Sequence, residues 1–161
     1  MARLDILKNS LAKKEAILDG KFDEHFSCVK SANGQPLNDK RNGQATMNKW
    51  ERQNDSIRRH LGEIEKTKAA IEKEQYKISD TEAMYGKMPK VLTDLIDNGT
   101  LAQWRKFPHI MFVSGVDKAR IVFNEDTGVI SHKYVNQIES KEQYAIFRDV
   151  FNNINKQQKG G

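Results

Sequence analysis

The feature that most constrains the fold is a stripe of large apolar residues that recur every seven positions in the first half of the chain. The members of this heptad stripe are Trp50, Ile57, Ile64, Ile71, Ile78 and Tyr85. Seven residues make about two turns of an α-helix, so these side chains lie on one face of a single helix. Thr46 is a suitable N-cap and Pro89 a natural boundary, which predicts one helix roughly 60 Å long.

The heptad stripe is too narrow for a self-associating coiled coil, which requires apolar residues at two core positions of each heptad. The positions four residues after the stripe are Asn54, Leu61, Lys68, Gln75 and Glu82. A different helix is therefore expected as the partner, and residues 3–31 predict one. Its apolar residues recur at helical steps: Leu4, Leu7, Leu11, Leu18, Phe22, Phe26 and Val29. Residues 1–87 thus predict a long, coiled-coil-like antiparallel helical hairpin.

The segment that joins the two predicted helices, residues 32–46, has the sequence ANGQPLNDKRNGQAT. Its two Asn-Gly pairs favour defined turns, because Gly adopts positive φ freely and Asn tolerates it. A connection between antiparallel helices needs only about two to eight residues, and this one is longer. We therefore predict a tip that contacts a partner, with Lys40 and Arg41 projecting into solvent.

Positive charge concentrates near this predicted tip. The net charge is +5, and residues 30–60 contain seven bases against three acids, whereas residues 61–85 contain four bases against six acids. Such a cluster favours phosphates or an acidic partner. The predicted contact residues are Lys40, Arg41, Lys49, Arg52, Arg58 and Arg59. The alternative is an ordinary solvated helix end in which Glu51 pairs with neighbouring bases.

Trp50 lies beside these bases and has two interpretations. It could stack on an exposed nucleobase. It could instead head the heptad stripe and pack on Val29 or Phe26 of the first helix. Its register with Ile57 and Ile64 favours packing.

Residues 88–156 predict a small α+β domain. PKVLTDLIDNG and TLAQWRKF each predict a short helix, and three β-rich runs follow, HIMFV, ARIVFN and GVISHKYV, the last two joined by a turn closed by Gly128. Ser140 caps a final helix with a predicted buried face of Tyr144, Phe147, Val150, Phe151 and Ile154. The expected fold class is α+β, the hairpin being followed by a three-stranded antiparallel sheet with helices. Residues 157–161 predict a disordered tail.

Further bases belong to this second domain. In a short helix, Trp104 and Phe107 would face inward while Arg105 and Lys106 point outward. Together with bases of the predicted strands they predict a secondary basic surface on the exposed face of the sheet. Its members are Arg105, Lys106, Lys118, Arg120 and Lys133.

Residues for catalysis or metal binding do not occur at recognisable spacings. His25 and Cys28 lie three residues apart, but a structural zinc site needs four ligands and Cys28 is the only cysteine. The sequence has no Gly-rich phosphate loop, nucleophile elbow or His-x-Glu zinc signature. We predict neither a metal nor a cofactor, and a binding protein rather than an enzyme.

The predicted function is nucleic-acid binding, to DNA or RNA, through phosphate contacts of low sequence specificity at the hairpin tip. The alternative is a protein-interaction module, such as a phage- or plasmid-encoded regulator or inhibitor of a host complex that handles nucleic acid. One cysteine, no secretory leader and no apolar run of about 20 residues predict a cytoplasmic protein that does not contact the membrane.

Overall fold

The computed structural model describes residues 1–32 and 43–160. The fold class is α+β, as the sequence predicts. Within the described residues, no helix is both long enough and apolar enough to cross a membrane. The helices are α1 (Arg3–Ser31), α2 (Gly43–Lys87), α3 (Lys90–Asp97) and α4 (Lys141–Lys159), and the strands are β1 (Leu101–Trp104), β2 (Phe107–Val113), β3 (Arg120–Phe123) and β4 (Ile130–Lys133).

Contacts divide the chain into two compact units, Met1–Gln75 and Tyr76–Gly161. Helix α2 continues through this division, so its last three turns belong to the unit that contains the sheet. The domain boundary predicted from the sequence lies after residue 87, at the end of α2, whereas the division by contacts lies within this helix. At the other end of the second unit, α4 extends to Lys159 and therefore into the segment predicted as a tail.

In the first unit, side-chain contacts between α1 and α2 follow a simple order. The residue numbers of the partners fall along α2 as they rise along α1, as expected for neighbouring helices with opposite chain directions. The pairs are Arg3 with Glu74, Lys14 with Thr67, Lys21 with Ser56, and His25 with Gln53. Of the predicted tip, residues 33–42, which include Lys40 and Arg41, lie outside the described residues. Residues 43–46 belong to α2, so the prediction that Thr46 caps this helix is wrong.

The heptad stripe of α2 is buried at its centre, at Ile57, Ile64 and Ile71. The second inward-facing row does not lie four residues after the stripe, because Asn54, Leu61, Lys68, Gln75 and Glu82 are all exposed. It lies three residues after the stripe and is polar throughout. We call it the polar row: Gln53, His60, Thr67 and Glu74.

Each member of the polar row has a partner on α1. Gln53 accepts a hydrogen bond from Nδ1 of His25 at 2.9 Å, and Nε2 of His60 donates to the backbone carbonyl of Lys14 at 2.7 Å. The hydroxyl of Thr67 accepts from Nζ of Lys14 at 2.8 Å. Buried polar groups require such partners, and no buried side-chain nitrogen or oxygen in the described part of the chain lacks one.

Helix α1 contributes half-buried residues but no fully buried one. The predicted apolar stripe is wrong at Phe26, which is 61 % exposed and stacks on Phe22 with ring centroids 5.9 Å apart. The inward positions near this end of α1 are held by His25, Cys28 and Val29. Phe26 lies one position beyond His25 and so points about 100° away from that face.

The second unit contains a four-stranded antiparallel sheet in the order β1-β2-β3-β4. The predicted count of three strands is wrong, because TLAQWRKF forms β1 and a turn rather than a helix. Leu and Ala are strong helix formers, but intrinsic propensity is a small effect, and the pairing of β1 with β2 overrides it. Leu101 lies opposite Val113 and is buried, while Ala102 lies opposite Phe112 and is exposed.

The core of the second unit lies between one face of the sheet and the helices. Met111 and Ile121 of the sheet are fully buried there with Leu92 of α3 and Ile154 of α4. The predicted buried face of α4 is wrong at Tyr144, which is 48 % exposed. In that turn the half-buried position is occupied by the residue before it, Gln143, whose side chain hydrogen-bonds to Asp117.

Candidate nucleic-acid interface

The bases of α2 that the sequence singles out are all exposed. The four bases lie within the first four turns after Thr46, and the only acids between residues 43 and 60 are Glu51 and Asp55. They are Lys49, Arg52, Arg58 and Arg59. They surround the helix rather than sharing one face, because Arg58 lies about 100° from Arg59. Thus only part of the predicted cluster can contact one flat partner at the same time.

Arg52 and Arg59 belong to a longer exposed row that the sequence analysis missed. Lys66 and Lys73 continue it at the same seven-residue spacing, and all four residues are exposed. We call these four residues the basic row. Adjacent members are about 10.5 Å apart along the helix axis. The heptad spacing used to find the apolar stripe would have found this row too.

The basic row is only partly neutralised. Nζ of Lys66 lies 3.1 Å from a carboxylate oxygen of Glu63. Among the described residues, the side chains of Arg52, Arg59 and Lys73 take part in no ion pair or hydrogen bond. Outside the row, Arg58 pairs with Asp55 at 3.2 Å. Exposed pairs of this kind contribute little to stability, so Lys66 remains available to a more strongly charged partner.

Two shallow grooves flank the row in the first unit. Arg59 and Lys66 line one of them together with Lys21 of α1. Lys49 and Arg52 line the other, opposite Glu24 of α1. The first groove is the more positive of the two and is the better match to an anion.

His25 and Cys28 face α2, where both contact Gln53. In the described segments, no three His, Cys, Asp or Glu residues are grouped closely enough to hold a metal ion. Nε2 of Gln53 donates to Sγ of Cys28 at 3.4 Å. This hydrogen bond, followed by one from Lys49, lowers the pKa of the Cys28 thiol below its ordinary value.

Cys28 should therefore be alkylated by iodoacetamide at lower pH in the folded chain than in the denatured chain, since the thiolate is the reactive form. The test is the alkylation rate as a function of pH. Gln53→Leu should move the midpoint upward, whereas Gln75→Leu at an exposed position of the same helix should not. Equal midpoints for folded and denatured chains would contradict the assigned contact.

The predicted secondary basic surface divides into two groups. Arg105 and Lys106 are exposed in the turn between β1 and β2, where Nζ of Lys106 lies 5.4 Å from the ring centroid of Phe107. Lys118, Arg120 and Lys133 instead line one groove on the sheet, which Arg105 and Lys106 do not line. The structure thus brings three of the five predicted residues together.

Trp104 and Tyr134 also line this groove. Trp104 was predicted to face inward from a helix, and this is wrong because it ends strand β1 and is half-buried. Tyr134 was not predicted as a site residue. It has positive φ (62°), which is uncommon outside glycine, and its side chain is 56 % exposed.

Comparison with known proteins gives no assignment: no family model, curated protein or solved structure matches this chain.

Proposed function

We propose that this protein binds nucleic acid without catalysing a reaction, and that the basic row of α2 contacts the phosphates. The observation that carries the proposal is the exposed row of four bases, three of which have no partner among the described residues. In this proposal, α1 and α2 form an antiparallel helical hairpin, and Lys40 and Arg41, which lie outside the described residues, are further phosphate contacts. Lys49 and Arg58 contribute from the flanks of α2.

Dimensions and charge support a backbone contact. Three steps of about 10.5 Å give the basic row a length of about 31 Å, close to the roughly 34 Å of one duplex turn. Each neutralised phosphate releases counterions and adds about 0.9 to the salt dependence of duplex binding. Lysine and arginine contacts to phosphates position a protein but do not read sequence. Binding of low sequence specificity follows.

Arg52→Glu combined with Arg59→Glu should weaken binding to a short DNA or RNA duplex by about tenfold or more, because two attractive charges become repulsive. Fluorescence polarisation at two salt concentrations measures both the affinity and the salt slope, which should become shallower. The melting temperature should stay nearly unchanged, as both positions are exposed.

The matched control is Lys8→Glu with Lys13→Glu, which makes the same change in net charge at exposed positions of α1. If both double variants lose affinity equally, net charge rather than the basic row governs binding. If the Arg52 and Arg59 variant binds like the wild type, the proposed role of the row is wrong.

A second candidate function is a protein-interaction module that regulates or inhibits a complex that handles nucleic acid. It is favoured by Phe26, whose ring is exposed and stacked on Phe22. Phenylalanine, like the other aromatic residues and arginine, is enriched in protein interfaces relative to the rest of the protein surface. Absence of binding to DNA and RNA at low salt would favour this function, with an acidic protein surface facing the basic row.

A further inference from the structure

The second unit carries a groove that differs in character from the surface of α2. The groove has a volume of about 270 Å³ and is lined by two aromatic residues, Trp104 and Tyr134, and three bases, Lys118, Arg120 and Lys133. We call it the sheet groove. It combines flat apolar surfaces with positive charge, whereas the basic row offers charge alone.

Strand alternation explains how these residues meet. Successive residues along a strand point to opposite faces of the sheet. Phe112, Arg120 and Val122, which are next to Met111 and Ile121 in sequence, therefore point to the face opposite the core. Across three neighbouring strands, Phe112 lies opposite Arg120, and Arg120 lies opposite Lys133. The rings of Trp104 and Phe112 are 5.7 Å apart, which continues the aromatic surface to β1.

Arg120 is held in place while keeping its charge uncompensated. Its guanidinium lies 4.3 Å from the ring centroid of Phe112, and one terminal nitrogen donates to the carbonyls of Asp117 and Ala119 at 2.8 and 2.9 Å. Those acceptors are neutral, and among the described residues Arg120 makes no ion pair. A guanidinium fixed in this way presents its remaining donors to an anion.

The one acid that lines the groove is already engaged. The carboxylate of Asp117 accepts from Nε2 of Gln143 at 3.0 Å, and its backbone amide donates to Oε1 of the same glutamine at 3.2 Å. Lys118 lies 3.8 Å from Glu139, a pair whose side chains are both more than half exposed. Lys133 has no ion pair within the described segments. The groove is therefore positive on balance.

We propose that the sheet groove binds a single-stranded nucleic acid, with an unpaired base stacked on the aromatic surface of Trp104 and Tyr134 and the adjoining phosphates on Arg120 and Lys133. The proposal rests on the nucleic-acid-binding function above and specifies that the sheet groove binds single-stranded rather than double-stranded nucleic acid. Aromatic rings beside bases are the arrangement by which proteins hold unpaired strands. In the interior of a duplex both faces of each base are covered by neighbouring bases, so only the two terminal base pairs present a face on which an aromatic ring can stack.

The affinity test uses the full chain with labelled oligothymidine, oligouridine and a blunt duplex. Arg120→Gln with Lys133→Gln should weaken binding to the single strands by about tenfold and change duplex binding much less. The control, Lys156→Gln with Lys159→Gln, removes the same charge from exposed positions of α4 that do not line the groove.

A second measurement reports stacking directly. The chain contains two tryptophans, so in a Trp50→Phe variant all tryptophan emission comes from Trp104. Oligothymidine should quench this emission, whereas the duplex and inorganic polyphosphate should not. Quenching by polyphosphate to the same extent, or no quenching by a bound single strand, would overturn the proposed stacking.

The outcomes separate this inference from the proposed function. If Arg52→Glu with Arg59→Glu weakens duplex binding while the Arg120 and Lys133 variant binds single strands like the wild type, the sheet groove is overturned and the basic row stands. If the reverse holds, the groove stands and the row is overturned. Absence of binding to all three oligonucleotides overturns both.

Discussion

Ile64→Asp should unfold the first unit at temperatures at which the wild-type chain is folded. Ile64 is 2 % exposed at the centre of the heptad stripe, where an aspartate would bury a charge beside apolar neighbours. An unpaired buried charge together with the loss of a large apolar side chain costs several kcal/mol. Most of the helix content lies in α1 and α2, so thermal unfolding followed by far-ultraviolet circular dichroism measures the effect.

Leu61→Asp is the matched control for this prediction. Leu61 is an apolar residue of the same helix, less than one turn away, but 41 % exposed. The same charge there should lower the melting temperature by only a few degrees, because exposed substitutions rarely change the free energy of unfolding by more than about 0.5 kcal/mol. Equal losses for the two variants would mean that the heptad stripe does not face α1.

A fragment of residues 76–160 should unfold cooperatively, whereas a fragment of residues 88–156 should be far less stable. The shorter fragment lacks the last turns of α2, which belong to the second unit. Met84 packs against the core, and the carbonyl of Thr81 accepts a hydrogen bond from Gln103 at 3.3 Å. Tyr85 also donates to the carboxylate of Asp97 at 2.8 Å.

The expected difference is large relative to the stability of so small a domain, which buries a smaller share of its surface than a larger one. Each kcal/mol lost lowers the melting temperature by about 4–8 °C for a domain of this size. We expect the shorter fragment to melt at least about 10 °C lower or without a cooperative transition. Calorimetry of the two fragments measures this difference. Identical melting curves would mean that the boundary of the second unit lies after residue 87.

Long periodic segments were predictable because their pattern is local. The heptad stripe predicted α2, and the three β-rich runs predicted β2, β3 and β4. The serine at position 140 predicted the start of α4, where its hydroxyl accepts a hydrogen bond from the amide of Gln143. Strand β1 was not predictable in the same way. Its four residues have no β-rich composition, and they become a strand because β2 supplies their hydrogen bonds.

The polar row shows a different limit of sequence reasoning. Gln53 and His60 look like solvent-facing residues because polar side chains at an interface are identified only by their partners. Those partners, such as His25 and Lys14, lie 28 and 46 residues away in the chain. Counting apolar residues therefore found the stripe but could not choose between the positions three and four residues after it.

The positions of the basic residues of the candidate site were predictable from the sequence, but which of them lie together was not. The composition placed bases on α2 correctly, and the seven-residue spacing could have extended them to Lys66 and Lys73. The sheet groove required the assignment of Trp104 to a strand, because in a helix its ring would have been in the core. It also required the strand register, which places Arg120 beside Phe112 and Lys133.

The polar row also affects whether separate copies of the chain associate through α2 in concentrated solution. Two α2 helices from separate molecules could bring their isoleucines together, but Thr67 and Glu74 would then be buried without Lys14 and Arg3. Polar residues at core positions are known to select one helix partner over others at some cost in stability. Replacing the four residues of the polar row with leucine should therefore strengthen helix association. The same change should allow α2 to pair with α2 of another molecule as well as with α1 of its own chain.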